Sequence, residues 1–157
     1  MKTLRNCLKL ILVIILIPFY QNINAQITYT DLHDTTLAPW SVYELKIGSL
    51  GVTAFYTWAH PSDVQINTME LDNHVLGDGS VTFYPLALTE NTTIAETSSK
   101  WDAPHYADLC NDGKGNWVNM TDRYLGFRFK KNGQLHYGWL RLDVDVNNDS
   151  FTIKDYA

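Results

Sequence analysis

Five tryptophans, Trp40, Trp58, Trp101, Trp117 and Trp139, and nine tyrosines are the residues of this chain best suited to recognition chemistry. An aromatic face with a polar handle stacks on sugars and other amphipathic ligands, which is why Trp and Tyr are enriched at recognition surfaces. A domain without disulfides also packs its tryptophans inside. Trp58 and Trp139 read as core residues, while Trp40, Trp101 and Trp117 remain candidates for a ligand-stacking platform.

Metal chemistry has one candidate. Asp143, Asp145, Asn147 and Asp149 alternate, so several of them share one strand face or its adjoining turn. Calcium takes six to eight oxygens, and a few carboxylates from one strand end form a partial shell. A solvated strand face is the stronger reading, with Asp143, Asp145 and Asp149 kept as calcium candidates. The stretch Asn111-Asp112-Gly113-Lys114-Gly115-Asn116 resembles a calcium loop only in its glycines, and Lys114 argues for an ordinary turn. His33, His60, His74, His105 and His136 contain no pair at close ligand spacing, so no zinc site is nominated.

Catalytic chemistry is not nominated either. Glycoside hydrolysis needs two carboxyls across a cleft, and 17 acidic residues supply many pairs without a local motif to select one. The chain has no G-x-S-x-G nucleophile elbow. Cys110 lies between Asp108 and Asp112, whose charges disfavour a thiolate, so a buried, inert cysteine is expected. The expectation is a protein with no catalytic residue and no cofactor.

The elements that would position these residues are strands. Turn clusters recur at 48–51, 77–79, 111–113, 132–133 and 147–149, separated by runs rich in Val, Ile, Thr, Tyr, Phe and Trp. In the C-terminal third, Leu125, Phe127 and Phe129 alternate with polar neighbours. Asn132-Gly133 then marks a two-residue hairpin, since both positions tolerate positive φ. The returning run, 134–146, carries Leu135, Tyr137 and Trp139 in one phase and Leu140, Leu142, Val144 and Val146 in the other. Gly138 sits at the change and predicts a bulge that swaps the faces. A turn at 147–149 leads to a third strand, 151–156, completing a three-stranded antiparallel meander. Upstream, 42–47 and 52–58 read as a hairpin, with further strands at 64–71, 73–76 and 80–86. The segment 103–109, behind Pro104, is a short-helix candidate. The fold class is all-β, an antiparallel β-sandwich of jelly-roll type.

The whole chain has 157 residues and a formal charge of −5, from 12 basic and 17 acidic residues. Its size suits one domain, and its acidic balance lacks the basic face that nucleic-acid binding requires. Lys2, Arg5 and Lys9 precede the apolar run Leu10 to Ile17, and a polar stretch ends at the small residue Ala25. That is the pattern of a secretory signal peptide over 1–25, and the run is too short for a membrane anchor. Cleavage leaves one domain, 26–157, with 132 residues. Nine basic and all 17 acidic residues stay, so its charge is −8. Cys7 leaves with the signal, and Cys110 alone cannot form an intramolecular disulfide. The expected location is secreted, periplasmic or cell-surface, with no membrane span after cleavage.

The segments Tyr124–Phe129, Asn132–Leu142 and Thr152–Ala157, with their Asn-Gly turn, Tyr-Gly-Trp and Lys-Asp-Tyr-Ala strands, resemble a recurrent module. It is similar to the C-terminal half of secreted β-sandwich proteins of Bacteroidetes-type bacteria, which often carry a type IX sorting domain afterwards. The resemblance implies further residues after Ala157, making the chain a truncated gene, a fragment or a stand-alone variant. Related modules carry an acidic, calcium-type loop near their start. The matching stretch here, 45–55, keeps Gly51 and Phe55 but places Lys46, Gly48, Leu50 and Ala54 at the acidic positions. A lysine there repels a divalent ion, so this copy has lost the site.

The functional expectation is an exported, non-enzymatic structural or recognition module. Its partner is unknown, with a glycan or a cell-surface protein as the classes to consider and nucleic acid set aside. A carbohydrate-binding module using exposed Trp and Tyr is the alternative, and a small glycan-acting enzyme ranks below both.

Overall fold

A computed structural model describes residues 27–47, 52–60, 63–67, 73–80, 83–98, 100–102, 107–147 and 149–157, with 52–60 described by backbone. The predicted signal segment and the turn at 48–51 lie outside the described residues. The fold is all-β. Among the described residues there are ten strands: β1 (Thr30–Leu37), β2 (Val42–Ile47), β3 (Val52–His60), β4 (Asp63–Asn67), β5 (His74–Leu76), β6 (Trp101–Asp102), β7 (Ala107–Asn111), β8 (Arg123–Lys131), β9 (Gln134–Asp145) and β10 (Ser150–Tyr156). They form two antiparallel sheets, β1-β10-β9-β8-β5-β6 and β2-β3-β4-β7. No helix among the described residues is long and apolar enough to cross a membrane.

The C-terminal meander forms as its sequence dictates. Asn132 and Gly133 both adopt left-handed φ, 52° and 76°, which matches the turn to the twist of its strands. The β8–β9 ladder then runs without a slip from Lys131 opposite Gln134 to Arg123 opposite Leu142. Leu125, Phe127 and Phe129 face inward from β8, as do Leu140, Leu142 and Val144 from β9. One buried cluster joins them to Leu45, Val64, Ile66, Leu109 and Cys110 of the four-stranded sheet, so the two sheets share a core. Cys110 is fully buried and outside any disulfide.

The structure corrects the predicted bulge at Gly138. The unbroken register keeps Gly138 on the inner face with Leu140, and it keeps Leu135, Tyr137 and Trp139 on the outer face with Arg141. Gly138 is needed for space. A Cβ there would meet Ala157 O at 2.5 Å and the Phe127 ring at 2.7 Å. Gly138→Ala is therefore expected to destabilise the fold by about 1–3 kcal/mol through overpacking. A urea midpoint equal to that of the wild type would contradict this close approach.

Three other expectations change. The segment 80–86 contains no strand among its described residues. Asp78 Oδ1 accepts the Ser80 and Tyr84 amides at 2.9 and 3.3 Å, Phe83 adopts φ 46°, and only Pro85 bridges to Gly77. The helix candidate 103–109 ends as β7, whose residues pair with β4, while 103–106 lie outside the described residues. The strand predicted over 64–71 is β4 up to Asn67, and 68–71 likewise lie outside. Strand β1, unforeseen, pairs with β10 from Thr30 opposite Tyr156 to Leu37 opposite Phe151.

Candidate functional site

The outer face of the six-stranded sheet carries an aromatic belt. Cross-strand pairing puts Tyr124 opposite Arg141, Gly126 opposite Trp139, and Arg128 opposite Tyr137. Tyr124 and Trp139 meet edge to face, with centroids 5.2 Å apart and planes at 81°. Tyr29 lies 6.3 Å from Trp139 on one side. Farther along the same face, Trp101 tilts against Tyr137 at 5.9 Å and receives the Arg128 guanidinium 5.0 Å from its ring centre. Such pairs contribute beyond their buried area and fix one another's orientation.

The segment 85–98 folds over this face. Leu88 exchanges two backbone hydrogen bonds with Tyr124, each 3.0 Å. Gly126 lets the segment settle, because a Cβ there would meet Leu88 Cδ1 at 3.2 Å and Ile94 Cδ1 at 3.3 Å. Between the segment and the sheet lies a cleft of about 310 Å³. Tyr124 and Trp139 line it from the sheet, Leu88 and Ile94 add aliphatic surface, and the turn Thr89–Thr92 supplies hydroxyls, an amide and the carboxylate of Glu90. That turn is preorganised. The Thr92 amide and Oγ1 both donate to Thr89 O, at 3.3 and 2.7 Å, with Asn91 at φ 64°.

Beside the cleft is a charge network. Asp155 is buried on the outer face, where Arg141 grips both its carboxylate oxygens, Nε donating at 3.0 Å to Oδ1 and an NH2 group to Oδ2. The Tyr29 hydroxyl donates to Asp155 Oδ2 at 2.9 Å, and this bond first, then burial, raises the phenol's pKa. A bulge between Ile153 and Asp155 turns Lys154 toward Asp122 and Asp143, whose oxygens lie 2.6 and 2.9 Å from its Nζ.

The hydrogen bond from Lys154 holds the Asp122 carboxyl below its usual range, with Arg141 adding to the effect. A depressed folded pKa contributes stability that is complete above the unfolded value, ~3.9, and lost as pH falls through the lower folded value. The urea midpoints of wild type and Asp122→Asn should therefore differ at neutral pH and converge as the pH falls below the folded pKa of Asp122. A difference that is constant with pH would rule out this ionic role.

The sequence candidates divide on this map. Trp117 is corrected to the core. It is wholly buried, its indole N–H donates to Pro85 O at 3.1 Å, and it has no face to offer a ligand. Trp40 is 70% exposed in the turn before β2 and does not line the cleft. Trp101 lies on the belt, outside the cleft lining. Trp139, read as core, is half-buried on the outer face and lines the cleft. The side chain of Trp58 lies outside the described residues.

The calcium candidates are engaged elsewhere. Asp143 binds Lys154 and accepts the Asp122 amide at 2.7 Å, and Asp145 accepts the Asn147 amide at 3.0 Å. Asp149 sits in the turn before β10, at φ 47°. Among the described residues no three His, Cys, Asp or Glu side chains converge as a metal site.

The fold and site define an all-β protein with an aromatic, polar-rimmed cleft on an outer sheet face. Comparison with known proteins finds no family model, no curated protein and no solved structure that matches this chain.

Proposed function

We propose that the protein is an exported, non-enzymatic recognition module of β-sandwich type that binds its partner through the outer face of the six-stranded sheet. The observation that carries the reading is the Tyr124–Trp139 pair, half-buried and held edge to face beside the polar turn Thr89–Thr92. Rigid aromatic anchors flanked by a few placed polar groups are the usual composition of a binding cleft. The anchors stand on paired strands whose register does not slip, which fixes their geometry before a ligand arrives. Among the described residues of the lining Glu90 is the one carboxylate, whereas glycoside hydrolysis uses a pair. Export is supported by the charged, then apolar, then polar order of residues 1–25.

The test compares wild-type and Trp139→Ala protein for retention on the surface of the producing cells. Retention of the wild type and its loss in the variant are expected. Equal retention of both, or robust hydrolase activity of the wild type, would overturn the reading. Export is checked by sequencing the N-terminus of protein recovered from outside the cytoplasm, which should begin at Gln26.

A further inference from the structure

We infer that the cleft between Thr89–Thr92 and Trp139 binds a neutral pyranose sugar, with one face of its ring stacked on the indole. This inference rests on the recognition reading above and names its ligand class.

Size comes first. At about 310 Å³ the cleft is at the small end of ligand pockets, with room for a single ring-sized group and not for a helix or a strand. Its two kinds of wall match the two kinds of surface on a pyranose. The C–H bonds on a sugar face carry partial positive charge, and an indole presents the negative side of its quadrupole to them. The hydroxyl rim needs both donors and acceptors, and the turn supplies them. Asn91 has an amide, Thr89 and Thr92 have hydroxyls 3.3 Å apart, and Glu90 is an acceptor for paired hydroxyls.

Charge then narrows the class. Among the described residues of the lining Glu90 is the one acidic or basic side chain, and the chain as a whole is negative, which disfavours phosphates, sulfates and uronates. The Arg141 guanidinium, across the strand pair from Tyr124, is committed to Asp155 and is absent from the lining. An organic cation is the competing chemistry, since it too would stack on an indole. Glu90 would favour that cation too, but a quaternary ammonium has no hydrogen-bond donor or acceptor for Thr89, Asn91 and Thr92, whereas sugar hydroxyls can pair with them.

Preorganisation follows from the geometry already described. The Thr89–Thr92 turn is closed by two bonds to one carbonyl, and Leu88 is tied to β8 on both sides of its peptide. A single ring bound by so few contacts gives a Kd of about 1 mM, within reach of titration.

The experiment titrates the purified protein with methyl glycosides of glucose, galactose, mannose and xylose, with galacturonate, and with choline. Saturation-transfer NMR and tryptophan fluorescence are the readouts. At least one neutral glycoside should saturate, with transfer strongest to the protons of one ring face. Trp139→Ala should weaken it about tenfold or more. Asn91→Gly keeps the left-handed turn and removes the amide, so it should weaken binding about threefold to tenfold without touching the core. Trp40→Ala should leave it unchanged.

Absence of saturation by every neutral glycoside overturns the inference, as does sugar binding that both Trp139→Ala and Asn91→Gly leave intact. Saturation by choline or galacturonate that Trp139→Ala removes also overturns it. Cell retention that depends on Trp139 alongside a failed sugar panel removes the sugar and leaves the recognition reading. Retention independent of Trp139 removes the reading itself.

Discussion

Replacing Trp117 by alanine is expected to destabilise the protein by about 3–5 kcal/mol, the range for a fully buried large aromatic. The indole is enclosed by the core shared between the two sheets, with no exposed surface. Its N–H donates to Pro85 O, a carbonyl that also accepts from the Asn116 side chain at 3.3 Å. Pro85 therefore keeps one partner after the substitution, and the loss comes mainly from the cavity. Trp117→Phe separates the two contributions. It keeps most of the apolar volume, gives up the hydrogen bond, and should lose less than the alanine variant. Urea unfolding decides the matter, because a shift in midpoint at constant slope reports stability alone. An alanine variant within about 0.5 kcal/mol of wild type, the range of ordinary surface changes, would remove Trp117 from the core and return it to the candidate binders.

Arg141→Met should be nearly as damaging, by about 3 kcal/mol at neutral pH, because it leaves a buried carboxylate without its cation. Asp155 is 3% exposed and depends on the two-pronged grip of Arg141, with the Tyr29 hydroxyl as a further donor. The figure sits at the low end of the range for broken buried pairs because Arg141 is itself a third exposed. Asp155→Asn should be milder, since Arg141 reaches solvent and lies 3.5 Å from Asp122. Arg141→Met in the Asp155→Asn background should then cost much less than it does alone. A double-mutant cycle with no coupling beyond about 0.5 kcal/mol would refute the pair's role.

The parts of the fold that were legible in the sequence are those fixed by local chemistry. The β8–β9–β10 meander follows from alternating apolar residues and an Asn-Gly turn, both of which act over a few residues. Strand β1 was illegible because His33 and Asp34 adopt φ 55° and 50° at a bulge between Asp31 and Thr35, which breaks the alternation that would have revealed it. Strand β7 was obscured similarly. A register shift against β4 buries Leu109 and Cys110 in succession, and neighbouring apolar residues do not read as a half-buried strand.

The site is hidden in the sequence for a related reason. Leu135, Tyr137 and Trp139 followed by Leu140, Leu142 and Val144 read as a strand that changes phase. A strand with apolar residues on both faces gives the same pattern, and β9 is of that kind because segment 85–98 and Tyr29 cover part of its outer face. The conflict of phase at Gly138 was thus the one sequence signal that pointed to Trp139. Tyr124 and the turn Thr89–Thr92 had none, since their convergence depends on the Leu88 bridge to β8, which is a tertiary contact.

The pairing of β1 with β10 also sets how the molecule would respond to force. Thr30 faces Tyr156, so the two ends of the ladder leave the sheet side by side. A load applied between them parts the hydrogen bonds one after another, as a zip opens, instead of shearing them together. Tyr29, just before β1, would be drawn away from Trp139 at the start of that peeling. Tension through the ends of this ladder therefore acts first on the margin of the aromatic belt.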